Sequence, residues 1–410
     1  MQQIDVVVIG AGQAGLAVSH ELTGLGVEHV VLERGRVAET WRNRWDSFCL
    51  VTPNWSVRLP GRPYDGSDPD GFMHRDEVIA YLEQYALSFR SPVQEAVEIN
   101  SLTATDGNSF ALETTSGSYR ARSLVVATGA YQRPHRPPGS NTLPSGLLQI
   151  DVEDYSNPKA LPAGRVLVVG SGQSGCQIAE ELHGSGRDVV LSCGRAPWAP
   201  RRIGDRDIVW WLHESGFFDA PFSSLPGPEA RLYANLLTTG HDGGHDLHLR
   251  TLRDMGVILA GHFLGSNGMR AQFAPDLEQA VAWGDARYRQ LIDLFGRLIA
   301  ERGLKPITIQ QPTPFVGPGP AELDLTAFGA VVFASGFRPD FRSWMPWPDA
   351  FDDDGFPIQV DGTSTVIPGL YFVGVHFLRK RKSSLLIGVG EDASIIARDI
   401  ARKKHPSNFA

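Results

Sequence analysis

At 410 residues, 42% hydrophobic and 20% charged, the chain is long enough for two domains with cores of their own and has the make-up of an ordinary globular protein. A formal net charge of −8 with no long basic run argues against a nucleic-acid partner, and no uninterrupted apolar stretch is long enough to span a membrane. Three scattered cysteines, Cys49, Cys176 and Cys193, make neither a disulfide framework nor a zinc knuckle.

Residues 6–9 are a β-branched run, Val6-Val7-Val8-Ile9, that passes through Gly10-Ala11-Gly12-Gln13-Ala14-Gly15 into a helix, and the next strand ends on Glu33. Gly10 permits the tight turn, Gly12 has no Cβ to block a pyrophosphate, and Gly15 lets helix and strand pack closely, so the helix N-terminus can meet phosphates. Glu33, about twenty residues after the turn, is placed to accept hydrogen bonds from an adenosine ribose. The fingerprint lies inside the apolar residues 4–18, and nothing basic precedes them. That stretch is therefore structure rather than a signal peptide, and a cytoplasmic protein is expected.

Beyond Arg34 come Thr40-Trp41-Arg42-Asn43-Arg44-Trp45, where two arginines between tryptophans either contact the ring and phosphates of a bound nucleotide or form an amphipathic loop over the core. Arg75-Asp76-Glu77 opens a helix with Val78, Ile79, Tyr81, Leu82 and Tyr85 on its apolar side. From residue 93 to 128 the period switches to two. Runs at 97–102, 110–114 and 119–120, separated by Asp106-Gly107-Asn108 and Ser116-Gly117, predict a small antiparallel meander. It returns through Leu124-Val125-Val126-Ala127-Thr128-Gly129, a parallel strand ending in a glycine turn. Proline-rich residues 133–138 then leave the first domain.

The fingerprint recurs. Residues 165–169 form a second β-run, followed by Gly170-Ser171-Gly172-Gln173-Ser174-Gly175, a helix carrying Ile178, Ala179 and Leu182, and the strand Val189-Val190-Leu191-Ser192. Where Glu33 closed the first unit, this one closes with Ser192, Cys193 and Arg195, and Arg201-Arg202 follow. A carboxylate there would repel a 2′-phosphate, whereas an arginine binds it in a bidentate way. The first fold is therefore read as the FAD site and the second as the NADPH site, with a solvated surface loop the alternative for the arginines. No C-x-x-C pair accompanies the two sites, which argues against thiol-reductase chemistry.

Residues 203–300 are more individual. Asp207-Ile208-Val209-Trp210-Trp211-Leu212 with Phe217-Phe218 predicts a helix packing aromatics into the core or toward a cavity. His241-Asp242-Gly243-Gly244-His245-Asp246-Leu247-His248 holds ligand residue types but lacks the helical spacing of a metal site, so it reads as a polar loop and no metal is expected. Residues 285–302 predict an amphipathic helix with Tyr288, Leu291, Ile292, Phe295 and Leu298 on one face and Asp285 as its cap. This helical insert is expected to shape the substrate pocket. Residues 328–335 supply the last strand of the second half, 368–375 a further strand and 391–402 a closing helix. Between these last two, Arg379-Lys380-Arg381-Lys382 either stabilise reduced flavin and attract NADPH or form a solvated loop. Residues 403–410 read as a frayed tail.

The two fingerprints, Ala127-Thr128-Gly129 ahead of a proline-rich linker, Phe333-Ala334-Ser335-Gly336-Phe337-Arg338 and Pro368-Gly369-Leu370-Tyr371-Phe372-Val373-Gly374 together resemble the flavin-containing monooxygenase superfamily, above all its shorter bacterial oxidoreductases and the plant indole-3-pyruvate monooxygenases. The similarity covers the chain except about residues 203–300. In that family FAD stays bound, NADPH reduces it, and the retained NADP⁺ shelters a C4a-hydroperoxyflavin that oxygenates a soft nucleophile or a ketone.

The expected fold is thus α/β, with two Rossmann-like dinucleotide-binding domains, the second inserted in the first: residues 1–160 and 325–410 for FAD, 161–324 for NADPH. The expected cofactor-binding residues are Gly10, Gly12, Gln13, Ala14, Gly15, Glu33, Arg34, Trp41, Arg42, Thr128, Gly170, Gly172, Gln173, Ser174, Gly175, Ser192, Arg195 and Ser335. The resemblance places Asn54 where the family often has an asparagine near the reactive face of the flavin, which implies a donor to the hydroperoxide. It also exposes a departure. The family's F-x-G-x-x-x-H-x-x-x-(Y/F) signature keeps only Tyr155 in register, and Asp151 stands at the histidine position, which leaves the architecture alone but bears on oxygenation itself. The reaction implied is NADPH-dependent monooxygenation of a small organic substrate by molecular oxygen. A flavin reductase or dehydrogenase without oxygenation and a non-catalytic FAD-holding redox sensor or binding protein are the alternatives, and the substrate atom and any homo-oligomer stay open.

Overall fold

The computed structural model describes residues 1–105 and 109–404, so the turn expected at 106–108 and the tail at 405–410 lie outside the described residues. The chain begins with β1 (Gln2–Ile9), α1 (Gln13–Gly24), β2 (His29–Leu32), the short α2 (Glu39–Arg42) and α3 (Arg75–Ser88). β3 (Val93–Gln94), β4 (Ile99–Thr105), β5 (Ser109–Thr114) and β6 (Gly117–Val126) follow. The expected meander is present, and its last strand also joins the main sheet: Tyr119 and Ala121 pair antiparallel with β5, while residues 119–126 pair in parallel with β1.

The middle of the chain forms β7 (Leu148–Asp151), β8 (Arg165–Val169), α4 (Gln173–Gly184), β9 (Val189–Ser192), α5 (Ile208–Glu214) and α6 (Leu249–Met255). It continues through β10 (Ile258–Ala260), β11 (Phe263–Asn267), β12 (Arg270–Phe273), α7 (Leu277–Arg302), β13 (Glu322–Asp324) and β14 (Phe328–Phe333). β15 (Gln359–Val360), β16 (Thr363–Ser364), β17 (Leu370–Phe372) and α8 (Val389–Lys404) complete it.

Two parallel-centred sheets result. The nine-stranded one runs β15-β16-β17-β6-β1-β2-β3 with β4 and β5 branching from β6, and the five-stranded one runs β7-β14-β8-β9-β10. β1 and β8 are equivalent centres, each flanked by the strand after its own helix and by a strand from much later in the chain. Their side chains alternate between two cores. Val6 and Val8 pack with α1, α3 and α8, and Val7 and Ile9 with the meander. Val166 and Val168 pack with α4, α5 and α7, and Leu167 and Val169 with β11 and β12. Both faces are covered, which is why these strands read as continuous β-branched runs. The two connections between the sheets pair with each other, Arg133–Pro134 antiparallel to Phe337–Arg338.

Three expectations need correction. Leu148–Asp151, assigned by sequence to the FAD domain, pairs with β14 in the second sheet, as does β14 with β8, so the second sheet takes in strands on both sides of the expected 161–324 span. The insert is not purely helical: it contains β10, which edges the second sheet, and the antiparallel β11-β12-β13 layer. The helix predicted from Asp285 begins at Leu277 and runs 26 residues. Asp285 is interior and buried, paired with Arg250 at 2.7 and 2.9 Å, so it stabilises a core contact rather than a helix end. Among the described residues no helix is long and apolar enough to cross a membrane.

Candidate dinucleotide sites

The two glycine turns are close copies. Gly10 and Gly170 have φ of 104° and 109°, a left-handed conformation that only glycine adopts without strain. A Cβ on Gly15 or Gly175 would sit 1.9 Å from the carbonyl oxygen of Gly10 or Gly170, so helix and strand could not pack as they do. The middle glycines differ in kind. A Cβ built on Gly12 meets nothing within 4 Å, and one on Gly172 meets only the Ala234 Cβ at 3.8 Å. These positions border open space beside the start of α1 and α4. Neither helix has a side-chain cap or an acidic residue in its first turn, so their leading N–H groups remain free for a phosphate. The cradles therefore fit dinucleotide pyrophosphates.

Around the first turn, both oxygens of Glu33 accept backbone N–H groups, from Ala11 at 2.7 Å and Gly35 at 2.8 Å, which fixes the carboxylate against the turn while leaving lone pairs for a ribose. Gln13 accepts from Trp41 Nε1 at 3.1 Å and donates to the Ser384 carbonyl at 3.3 Å, and Gly374 backs so closely on Ala14 that a Cβ would lie 2.6 Å from it. Around the second turn, Gln173 donates to the Thr238 carbonyl and accepts from the Thr238 N–H at 3.2 Å. Thr128 accepts from Gln132 Nε2 at 2.9 Å, and Ser335 donates to the Val169 carbonyl at 3.0 Å, each at the end of a late strand. Arg34 and Arg195 are exposed, and Arg195 lies 6.0 Å from the Trp283 ring. Ser174 is half-buried at the start of α4.

Several expected site residues have other work. Ser192 is buried and donates to the Gly261 carbonyl at 2.9 Å, holding β9 to the chain after β10. Arg201 is 2% exposed, ion-paired with Asp207 at 2.6 Å and bonded to the Val51 carbonyl and Thr238 Oγ1, so it is a crosslink rather than a ligand for a 2′-phosphate. Arg42 ion-pairs with Glu83 and donates to the Val37 carbonyl. Asn54 is buried, with its Nδ2 donating to the Asp68 carbonyl at 2.9 Å and its Oδ1 accepting from Met73 N at 2.7 Å, so its carboxamide clamps its own loop. Asp151 makes a two-pronged pair with Arg136 at 2.8 and 2.9 Å.

The sequence reading missed Tyr131 and the contacts that converge on it. Its ring meets Phe337 at 5.3 Å and His376 at 5.0 Å, both edge-on, and the Arg44 guanidinium lies 5.4 Å from its centroid. Desolvation by the surrounding protein raises the phenol's pKa, although 40% of the residue's surface is exposed. His376 shares a 3.1 Å hydrogen bond between Nδ1 and Ser384 Oγ, and burial pulls its pKa down to about 4, so it is neutral at pH 7. A signal existed: Tyr131 and His376 each follow a parallel strand by a few residues, and ligands of such sheets gather beyond the carboxyl ends of the strands.

Residues 7–213 match the pyridine nucleotide-disulphide oxidoreductase family. An uncharacterized CzcO-like oxidoreductase of Geobacillus kaustophilus (strain HTA426) is 32% identical over 400 residues, covering 97% of this chain and 98% of the relative. The indole-3-pyruvate monooxygenase YUCCA4 of Oryza sativa subsp. japonica is 26% identical across 98% of this chain and 88% of its own length. Among solved structures, the flavin-containing monooxygenase from Stenotrophomonas maltophilia superposes with a TM-score of 0.68 over 98% of this chain and 100% of that one, at 20% identity, a likeness of fold.

Proposed function

We infer, because the chain belongs to the pyridine nucleotide-disulphide oxidoreductase family and within it to the flavin-containing monooxygenase superfamily, and is on that ground an FAD- and NADPH-dependent oxidoreductase, that it oxygenates a small organic substrate with molecular oxygen. The observation that carries the reading is the pair of glycine cradles, each open at its middle glycine and each ending on an uncapped helix. FAD supplies hydride acceptance from the nicotinamide and activation of oxygen, while the protein binds, orients and excludes water.

In this reading Gly12, the first turn of α1 and Glu33 hold FAD, and Gly172, the first turn of α4 and Arg195 hold NADPH. The strands at residues 2–126 and 359–372 then form the FAD unit and those at 148–333 the NADPH unit. Tyr131 is a neutral phenol at pH 7, burial moves its pKa further from that pH, and neutral His376 adds no charge beside it. The name of the rice relative, an indole-3-pyruvate monooxygenase, supports oxygenation as the reaction. Three free, buried cysteines are compatible with a reducing, cytoplasmic setting.

One observation favours a second reading, a flavin reductase that passes electrons to oxygen unproductively: Asp151, at the expected histidine position, is pinned to Arg136. The test is to follow NADPH consumption under ¹⁸O₂ with a sulfide, a tertiary amine and a cyclic ketone as probes. Incorporation of ¹⁸O into any of them supports monooxygenation. Quantitative recovery of NADPH equivalents as hydrogen peroxide with all three supports the reductase, and failure of NADPH to bleach the bound flavin without oxygen supports a non-catalytic FAD-holding protein.

A further inference from the structure

Three of the four consecutive basic residues between β17 and α8 are neutralised by carboxylates. Arg379 pairs with Asp361 at 2.8 Å and Asp392 at 2.9 Å. Lys380 and Lys382 converge on the same two acids, Asp219 of the insert at 2.7 and 3.0 Å, and Glu391 of α8. Arg381 turns away from them. Among the described residues it has no ion pair and no side-chain hydrogen bond. Its guanidinium lies between the rings of Phe217, at 4.1 Å, and Phe377, at 4.8 Å, and its Nε is buried without a partner. Burial lowers its pKa to about 10, so it remains charged at pH 7. Phe377 holds φ at 49°, a left-handed conformation unfavourable for a bulky side chain, and such strain clusters at ligand sites.

The loop that carries Arg381 borders the first cradle. Gly374 backs on Ala14, the Ser384 carbonyl accepts from Gln13, and His376, next to Phe377, meets Tyr131. Phe217 comes from the insert, whose backbone the loop grips through Arg381 N–H to the Ala220 carbonyl at 2.9 Å. A guanidinium desolvated by two aromatic rings and unmatched by protein donates its strongest hydrogen bonds to an anion. The phosphates of the two dinucleotides already have cradles and Arg195. We propose that Arg381 is a specificity-determining residue that receives a carboxylate carried by the small-molecule substrate. Calling that ligand a substrate rests on the monooxygenase reading; the selective binding of an organic acid does not.

The full FAD-loaded chain, kept oxidised, is titrated with 3-phenylpropionate and with the neutral 3-phenylpropanamide at fixed ionic strength, with the flavin absorption spectrum as the readout. The acid is expected to bind at least about tenfold more tightly than the amide. R381Q is expected to lose that preference, weakening the acid about tenfold while moving the amide by less than about twofold, and R381K to fall between, since lysine keeps the charge without the fork. Equal binding of acid and amide, or of neither, by the parent overturns the proposal. So does an acid preference that survives in R381Q, or an R381Q variant whose defect is in NADPH affinity, which would assign the anion to the coenzyme's phosphate. If R381Q is purified without flavin, R381K carries the comparison. No turnover is involved, so the answer is independent of whether the chain oxygenates anything.

Discussion

Gln13 and Gln173 hold the same place in the two halves of the molecule, the first residue of the helix after the glycine turn, and each uses both ends of its carboxamide to hold a distant segment. Gln13 joins Trp41 to the Ser384 carbonyl, and Gln173 takes both backbone groups of Thr238. Each turn is thereby tied to a part of the chain that lies elsewhere in sequence: the C-terminal loop at the first, the insert at the second. The duplication extends beyond the glycines to the way each cradle is walled.

The middle and last glycines of a turn are expected to separate binding from folding. G12A adds a methyl where nothing lies within 4 Å, so the protein should fold with the stability of the flavin-free parent and be purified nearly colourless, its methyl blocking the pyrophosphate. G15A places that methyl 1.9 Å from the Gly10 carbonyl oxygen and should lower the melting temperature instead. G172A should keep its flavin and raise KM for NADPH. Flavin absorbance per chain and thermal melts decide the matter; a G12A protein that retains a full complement of FAD would remove the assignment of the first cradle.

Arg195 is exposed beyond the end of β9, free to meet a 2′-phosphate. R195A is expected to raise KM for NADPH by about 10- to 100-fold, as loss of a charge-assisted bidentate contact should. KM for NADH should change little. Steady-state kinetics with both coenzymes check this, and an equal loss for the two would mean that Arg195 does not read the phosphate.

The Asp285–Arg250 pair is buried, and Trp198 Nε1 adds a third hydrogen bond at 2.9 Å to the same carboxylate. D285A strands a guanidinium and an indole N–H in the core and should cost about 3–5 kcal/mol in denaturant unfolding. R250M/D285L removes both charges and should lose less than D285A alone. A double variant as unstable as the single would show that the carboxylate's worth lies outside the pair.

His248 caps α6 by accepting from Thr251 N at 3.2 Å through Nδ1, and burial lowers its pKa from 6.5 to about 4. The unfolded chain takes up this proton at higher pH than the folded one, so the contribution to stability is complete above pH 6.5 and is lost as pH falls toward 4. The full effect is about 3 kcal/mol. H248N keeps an acceptor at the cap and does not titrate, so its unfolding free energy should fall less steeply over that interval. Identical slopes in parent and variant would remove His248 as the cause.

Both glycine cradles, the acid that closes the first unit, the central strands and the meander were legible in sequence. Each is dictated within some thirty residues: a left-handed turn demands glycine at Gly10 and Gly170, a strand buried on both faces demands the run at residues 6–9, and a helix N-terminus demands small residues beside it. What the chain does with its polar side chains was not legible. Arg195 and Arg201 look alike in sequence, yet one is exposed and the other is ion-paired with Asp207 and bonded to Val51. Asp285 looks like a helix cap until Arg250 is seen opposite it, and Asp151 and Asn54 are engaged by Arg136 and by their own loop. The strand ends before Tyr131 and His376 pointed to one edge of the sheet, but the contacts of Tyr131 with Arg44, Phe337 and His376 join segments far apart in the chain.

Sequence by itself determined that two dinucleotide cradles form, because a turn's backbone geometry is a local property of the residues in it. Only the tertiary structure decided which charges are neutralised and which remain available, because a buried ion pair joins residues that are distant in the chain. That is why Arg201 and Lys382 are bound to carboxylates while the Arg381 guanidinium is left between two rings, its Nε without a partner among the described residues.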